Sequence, residues 1–117
     1  MIYFSYDEFD SPDLPGSGEY MEDEFLRMID AARDVAQIPF IVNSGFRTEA
    51  HNRAVGGSEN SAHLRGWAAD IRATNSRTRW IVIAACLQAG FTRIGVADTF
   101  VHVDCDPMKD ENVMWLY

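Results

Sequence analysis

The sequence predicts an α+β fold, a small mixed or antiparallel sheet with helices packed on one face. Two observations predict it. Segments 21–37 and 78–90 carry apolar residues in helical runs, and the short Ile-, Val- and Phe-bearing runs at 39–45, 93–97 and 100–105 read as strands. The order helix, strand, irregular segment, strand, helix, hairpin then favours a sheet covered by helices.

The first element is an arm. Residues 1–20, and DEFDSPDLPGSGEY (7–20) above all, are rich in Asp, Ser, Pro and Gly and read as irregular. In MEDEFLRMIDAARDVAQ (21–37), Phe25, Met28, Ile29, Ala32, Val35 and Ala36 recur at three- and four-residue steps. Glu22, Asp23 and Glu24 suit the positive end of that helix, and Pro39 ends it. PFIVNSG supplies a strand through Ile41 and Val42, closed by Asn43, Ser44 and Gly45.

RTEAHNRA (47–54) predicts one or two helical turns, and VGGSENS (55–61) a loop. Asp70, Ile71 and Arg72 form the next strand. Ser76 is the expected cap of the second helix, with Gly90 at its C-terminal end and Trp80 assigned to the core. RIGVA (93–97) and FVHVDC (100–105) form a hairpin about Asp98 and Thr99.

At 117 residues, with 47% hydrophobic and 24% charged positions, the chain reads as one domain, 1–117, able to bury a core. A formal charge of −8 argues against nucleic acid as a partner, since phosphate binding needs a basic face. The start MIYFSYDEFD has no secretory pattern, and no apolar run approaches the ~20 residues of a membrane span. Synthesis in a cytoplasm and a monomeric state are the expectations. Cys86 and Cys105 read as two partly buried free thiols.

The chemistry lies with His51, His63 and His102, the only histidines. His63 precedes Asp70, and His102 precedes Asp104. Two imidazoles and one carboxylate are a common catalytic zinc set that leaves a fourth position for water. The HExxH helix motif is absent, so such a site must be assembled from loop and strand residues distant in sequence. In SAHLRGWAAD (61–70), Gly66 lets the backbone turn, and Ala68 and Ala69 leave room for a close neighbour. The alternative is a surface histidine with Asp70 as a capping or ion-pairing residue.

Strand alternation puts Phe100, His102 and Asp104 on one face and Val101 and Val103 on the other. Residues two apart on a strand lie about 6.5–7 Å apart, so Asp104 can reach a water beside His102. The alternative is an edge strand whose solvated face carries both.

SGFRTEAHNRAVGGSENSAHLRGWAADI, followed by GFTRIGVADTFVHVD, resembles the zinc D-alanyl-D-alanine peptidases, in particular their short single-domain members. The resemblance runs from about Ser44 to Asp104 and rests on S-G-F-R (44–47), S-x-H-x-x-G-x-A-x-D (61–70) and H-x-D (102–104). It implies a hedgehog-like fold with one catalytic Zn²⁺, acting on peptidoglycan stem peptides or cross-bridges. His63, Asp70 and His102 resemble the zinc ligands. Arg47 resembles the arginine that polarises the scissile carbonyl or holds a carboxylate, and Ser61 is expected to support the His63 loop.

Many relatives carry an acid/base carboxylate three residues before the last zinc histidine, where this chain has Thr99. Asp104 is the expected substitute, taking the proton of the attacking water. Asp98 is the runner-up, about 13 Å from His102 along an extended strand. The alternative for Asp104 is a carboxylate that orients a ligand imidazole. His51 stays outside the metal set, and Trp67 and Trp115 read as core or cleft-wall aromatics. The function expected is therefore a D-alanyl-D-alanine carboxypeptidase or endopeptidase acting on the cell wall, in the manner of a phage lysis enzyme. The rival is a non-catalytic, zinc-stabilised wall-binding or virion-structural domain, since the hedgehog signalling domain resembles this family too.

Overall fold

The first long apolar stripe forms helix α1, Asp23–Ala36, burying Phe25, Leu26, Ile29 and Ala32. Gln37 ends it in the left-handed region (φ 56°), its N–H bonded to the Arg33 carbonyl. In the computed structural model, which describes residues 1–117, strand β1 (Val42–Ser44) follows, then helix α2 (Glu49–Ala54) and a 3-10 turn at Ala62–Arg65. Strand β2 (Ala68–Arg72), helix α3 (Ser76–Gln88) and strands β3 (Arg93–Val96), β4 (Phe100–Asp104) and β5 (Val113–Leu116) complete the chain. This is the α+β architecture expected.

The five strands lie in the order β1-β2-β4-β3-β5. All pairs are antiparallel except β3 with β5, which run parallel. Successive strand side chains point to opposite faces, so the sheet separates its residues by chemistry. Ala69, Ile71, Val101, Val103 and Ile94 enter one core cluster with Phe25, Leu26 and Ile29 of α1 and Val82, Ala85 and Cys86 of α3. The opposite face carries a row built by register alone: Ser44 beside Asp70, Asp70 beside His102, His102 beside Gly95, and Gly95 beside Trp115. Two of the candidate residues, Asp70 and His102, stand on that row.

Three expectations change. Trp80 is 72% exposed, not core. The run WIVIAACL is apolar around the whole helix, and α3 turns Val82, Ala85 and Cys86 inward while Trp80 and Leu87 face out. Asn75, rather than Ser76, caps α3, accepting a bond from the Thr78 N–H at 2.9 Å. Strand β5 was not expected. Its residues are mostly exposed, so the alternation that marks a half-buried strand is missing from VMWL.

The arm is also more structured than expected. It holds 3-10 turns at Tyr6–Phe9 and Ser17–Tyr20, and its Phe4 and Phe9 belong to the core. The Phe9 carbonyl accepts the Phe46 N–H at 2.8 Å, tying the arm to the S-G-F-R loop. Both cysteines are free, with Cys86 buried and Cys105 half-buried. No helix is long and apolar enough to cross a membrane.

Candidate metal centre

Three segments distant in sequence converge on one carboxylate. Asp70, on β2, lies 3.3 Å through Oδ1 from Nε2 of His63 and 3.0 Å from Nδ1 of His102. One ligand atom from each of the three lies within 4.8 Å of the others, and all three residues are buried. Asp70 and His102 meet because they are register partners across β2 and β4.

His63 arrives from the 3-10 turn, and local bonds fix it there. Ser61 accepts the His63 N–H at 3.2 Å, the support expected of it. Gly66 ends the turn at φ +79°, where a Cβ would meet the Tyr20 carbonyl oxygen at 2.4 Å. Glycine alone fits both the conformation and the space. Nδ1 of His63 donates to the Gly45 carbonyl at 2.8 Å, which leaves Nε2 facing Asp70.

His102 is gripped on its far side. Its Nε2 donates to Asp104 Oδ2 at 2.6 Å, and Nδ1 faces Asp70. Asp104 is 1% exposed, and its second oxygen accepts from Nε of Arg93 at 2.7 Å and from the Asp106 N–H at 3.2 Å. Asp104 does share the strand face of His102, yet it sits behind the imidazole and does not line the cleft.

The electrostatics follow from these contacts. Burial dominates at His63 and holds its imidazole below the usual range, hence neutral. At His102 burial works the same way, but hydrogen bonds to Asp104 and Asp70 outweigh it and raise the group. Burial would raise the Asp70 and Asp104 carboxyls; the imidazole hydrogen bonds overcome it and hold both low. His63, its proton held on Nδ1 by the Gly45 carbonyl, thus aims an Nε2 lone pair at the ionised Asp70, while the raised His102 is favoured as a proton donor to the carboxylates on either side. Lone pairs so arranged repel unless a cation or proton lies among them.

Arg47 joins the cluster from the S-G-F-R loop. Its Nη2 lies 3.2 Å from Asp70 Oδ2, Nε donates to Ser44 Oγ at 3.0 Å, and Nη1 donates to Asn52 Oδ1 at 3.2 Å. It therefore makes the ion pair with Asp70 and also lines a cleft of about 530 Å³ that His63, Asp70 and His102 share. Asp98 lies exposed in the β3–β4 turn and His51 on α2, and neither lines this cleft.

A profile described as Peptidase M15 matches residues 3–105. The chain belongs to the M15 peptidase family. This family consists of zinc D-alanyl-D-alanine peptidases, and the resemblance read from the three motifs stands. No curated protein shows a significant match.

The M15 residues present here fit a zinc ion. Two imidazole nitrogens and a carboxylate oxygen are the donors zinc takes in catalytic sites. Donors at about 2.1 Å from a tetrahedral zinc lie about 3.4 Å apart, near the 3.0 and 3.3 Å separations seen from Asp70. The second ring nitrogens, on Gly45 and Asp104, are bonded as metal-binding histidines require.

The M15 match ends before two further cleft residues, Trp115, expected as core or cleft wall, and Tyr117, not foreseen. Trp115 packs its ring 5.4 Å from that of His102, and Arg93 lies 5.1 Å over the indole. Tyr117 lies 5.1 Å from Phe100, its phenol raised chiefly by burial. Gly95 makes room for both rings: a Cβ there would meet Trp115 Nε1 at 2.7 Å and Tyr117 Cε2 at 2.8 Å. A glycine inside a strand was the available signal of such an approach.

Proposed function

We propose that this M15 protein is a zinc peptidase that hydrolyses peptide bonds in peptidoglycan stem peptides or cross-bridges. The single observation that carries the reading is the convergence of His63, Asp70 and His102 beside Arg47 in one cleft. In this reading those three residues hold the metal, through Nε2, a carboxylate oxygen and Nδ1. A bound zinc supplies Lewis-acid polarisation and an activated water.

The remaining steps belong to the chain. Arg47, locked by Ser44, Asn52 and Asp70, presents a permanent positive charge to the carbonyl oxygen as it gains negative charge. Gly45 and Asp104 keep the two imidazoles in the required tautomers and orientations. Asp104 is thus assigned as a positioning carboxylate rather than the base. Both its oxygens are engaged, and it meets His102 on the nitrogen away from Asp70.

One observation favours a second reading. Asp70 is the only carboxylate side chain lining the cleft, so no free Asp or Glu stands there to take a proton. A zinc-stabilised domain that binds wall peptides without cleaving them fits that feature. Incubation of purified muropeptides with the zinc-loaded protein, with and without chelator, decides by mass spectrometry. Chelator-sensitive release of D-alanine or of cross-bridge fragments supports the peptidase and names the bond. An unchanged product profile overturns it in favour of the binding domain.

A further inference from the structure

We propose that the C-terminal segment 106–117 forms a carboxylate-recognising wall of the cleft, with Lys109 as its anchoring cation. The inference rests on the reading of the cleft as a peptide-binding site. It adds that the preferred peptides carry a free carboxylate.

Lys109 is the only lysine in the chain. It lines the cleft, it is half-buried, and its ammonium forms no ion pair. The other cleft cations are already engaged. Arg47 holds Asp70, and Arg93 holds Asp104 and the Asp110 carbonyl at 2.6 Å. A cleft ammonium with no ion-pair partner in the chain is open to a ligand carboxylate, through a charge-assisted hydrogen bond. Its acidic neighbours Asp110 and Glu111 are exposed and do not line the cleft.

The wall is built, not loose. Asp106 is 2% exposed and pairs with Arg65, which lies in the same 3-10 turn as His63. Asp106 also accepts the Met108 N–H at 3.0 Å, and its carbonyl accepts the Lys109 N–H at 3.2 Å. Strand β5 then pairs with β3 and brings Trp115 against the His102 ring. The segment that carries the cation therefore also borders the imidazole. It lies beyond the family match at 3–105, so it distinguishes this chain's cleft from what the shared motifs supply.

The test uses stem-type peptides with a ketomethylene in place of the scissile amide, which bind without turnover. Three forms are titrated calorimetrically into the zinc-loaded chain: free acid, side-chain amidated, and C-terminally amidated. The free acid is expected to bind about fivefold tighter than one amidated form, and that form identifies which carboxylate is read. Lys109→Met brings the ratio to one with zinc content and Tm unchanged, and Lys109→Arg keeps it. Equal binding of all forms by the parent chain, no binding at all, or a ratio that survives Lys109→Met overturns the proposal. Failure to cleave natural muropeptides with the ratio intact would instead overturn hydrolysis and leave the carboxylate wall standing.

Discussion

Asp104 Oδ2 lies 2.6 Å from Nε2 of His102, while Nδ1 of the same ring faces Asp70. The two carboxylates thus bracket one imidazole from opposite edges. Removing Asp104 should be felt by the metal before it is felt by a proton. Asp104→Asn is expected to weaken zinc binding by about 10–100-fold, measured by competition with a chromophoric chelator. A variant that keeps full zinc affinity and loses only turnover would restore Asp104 to the role of base.

Zinc should stabilise the fold through the three converging residues. Free zinc at a hundred times its Kd adds about 2.7 kcal/mol by mass action, seen in calorimetry as a higher Tm than in chelator. His63→Ala should abolish that difference and stoichiometric zinc together. A Tm that still rises with zinc in this variant would place the metal elsewhere.

Arg47 makes three side-chain bonds with a geometry that lysine cannot copy. Arg47→Lys is expected to lower kcat/KM on muropeptides by about 100-fold, the scale of losing one preorganised donor. Zinc content should stay near one per chain. Activity within about threefold of the parent would remove Arg47 from the chemistry.

Stability should respond at Gly66 and hardly at Trp80. Gly66→Ala forces a side chain into φ +79° and against the Tyr20 carbonyl, at an expected cost of about 2–4 kcal/mol in urea unfolding. Trp80→Ala, at a 72% exposed position, should change stability by under about 0.5 kcal/mol. The reverse order would contradict the placement of both residues.

Burial pushes the thiols of Cys86 and Cys105 up to about 12. Only the thiolate alkylates, and a group raised this far stays protonated until the pH passes its own pKa. Iodoacetamide should therefore react with the native chain at pH 8 at least about 100-fold more slowly than with an unfolded control. The native rate should keep rising tenfold per pH unit beyond pH 9, where a free thiol levels off. A plateau near pH 9 for either cysteine would show an accessible, ordinary thiol.

The legible part of the site was the part written locally. FVHVD declares by alternation that His102 and Asp104 share a face, and the structure keeps them there. The motif from Ser61 to Asp70 shows where a turn must release a histidine before a strand, which the left-handed Gly66 explains. Trp115 was legible only as core or cleft wall, and Arg93, Lys109 and Tyr117 were not legible as cleft residues. Trp115 and Tyr117 reach the cleft because β5 pairs in parallel with β3 across a polar turn, and nothing in VMWL itself demands that partner.

By itself the sequence determined the two long helices, the strands with alternating or apolar runs, the family, and the three residues offered to a metal. The helices and strands follow from periodicity, which acts between near neighbours, whereas the family and the three metal candidates follow from the resemblance that the three motifs carry. Tertiary structure alone decided which side of α3 is buried, so that Trp80 faces out, and which nitrogen of His102 meets which carboxylate. It also decided that Asp104 stands behind the imidazole rather than in the cleft. The reason is physical: strand alternation fixes a face, but only register with β2 and β3 fixes what each side chain on that face meets.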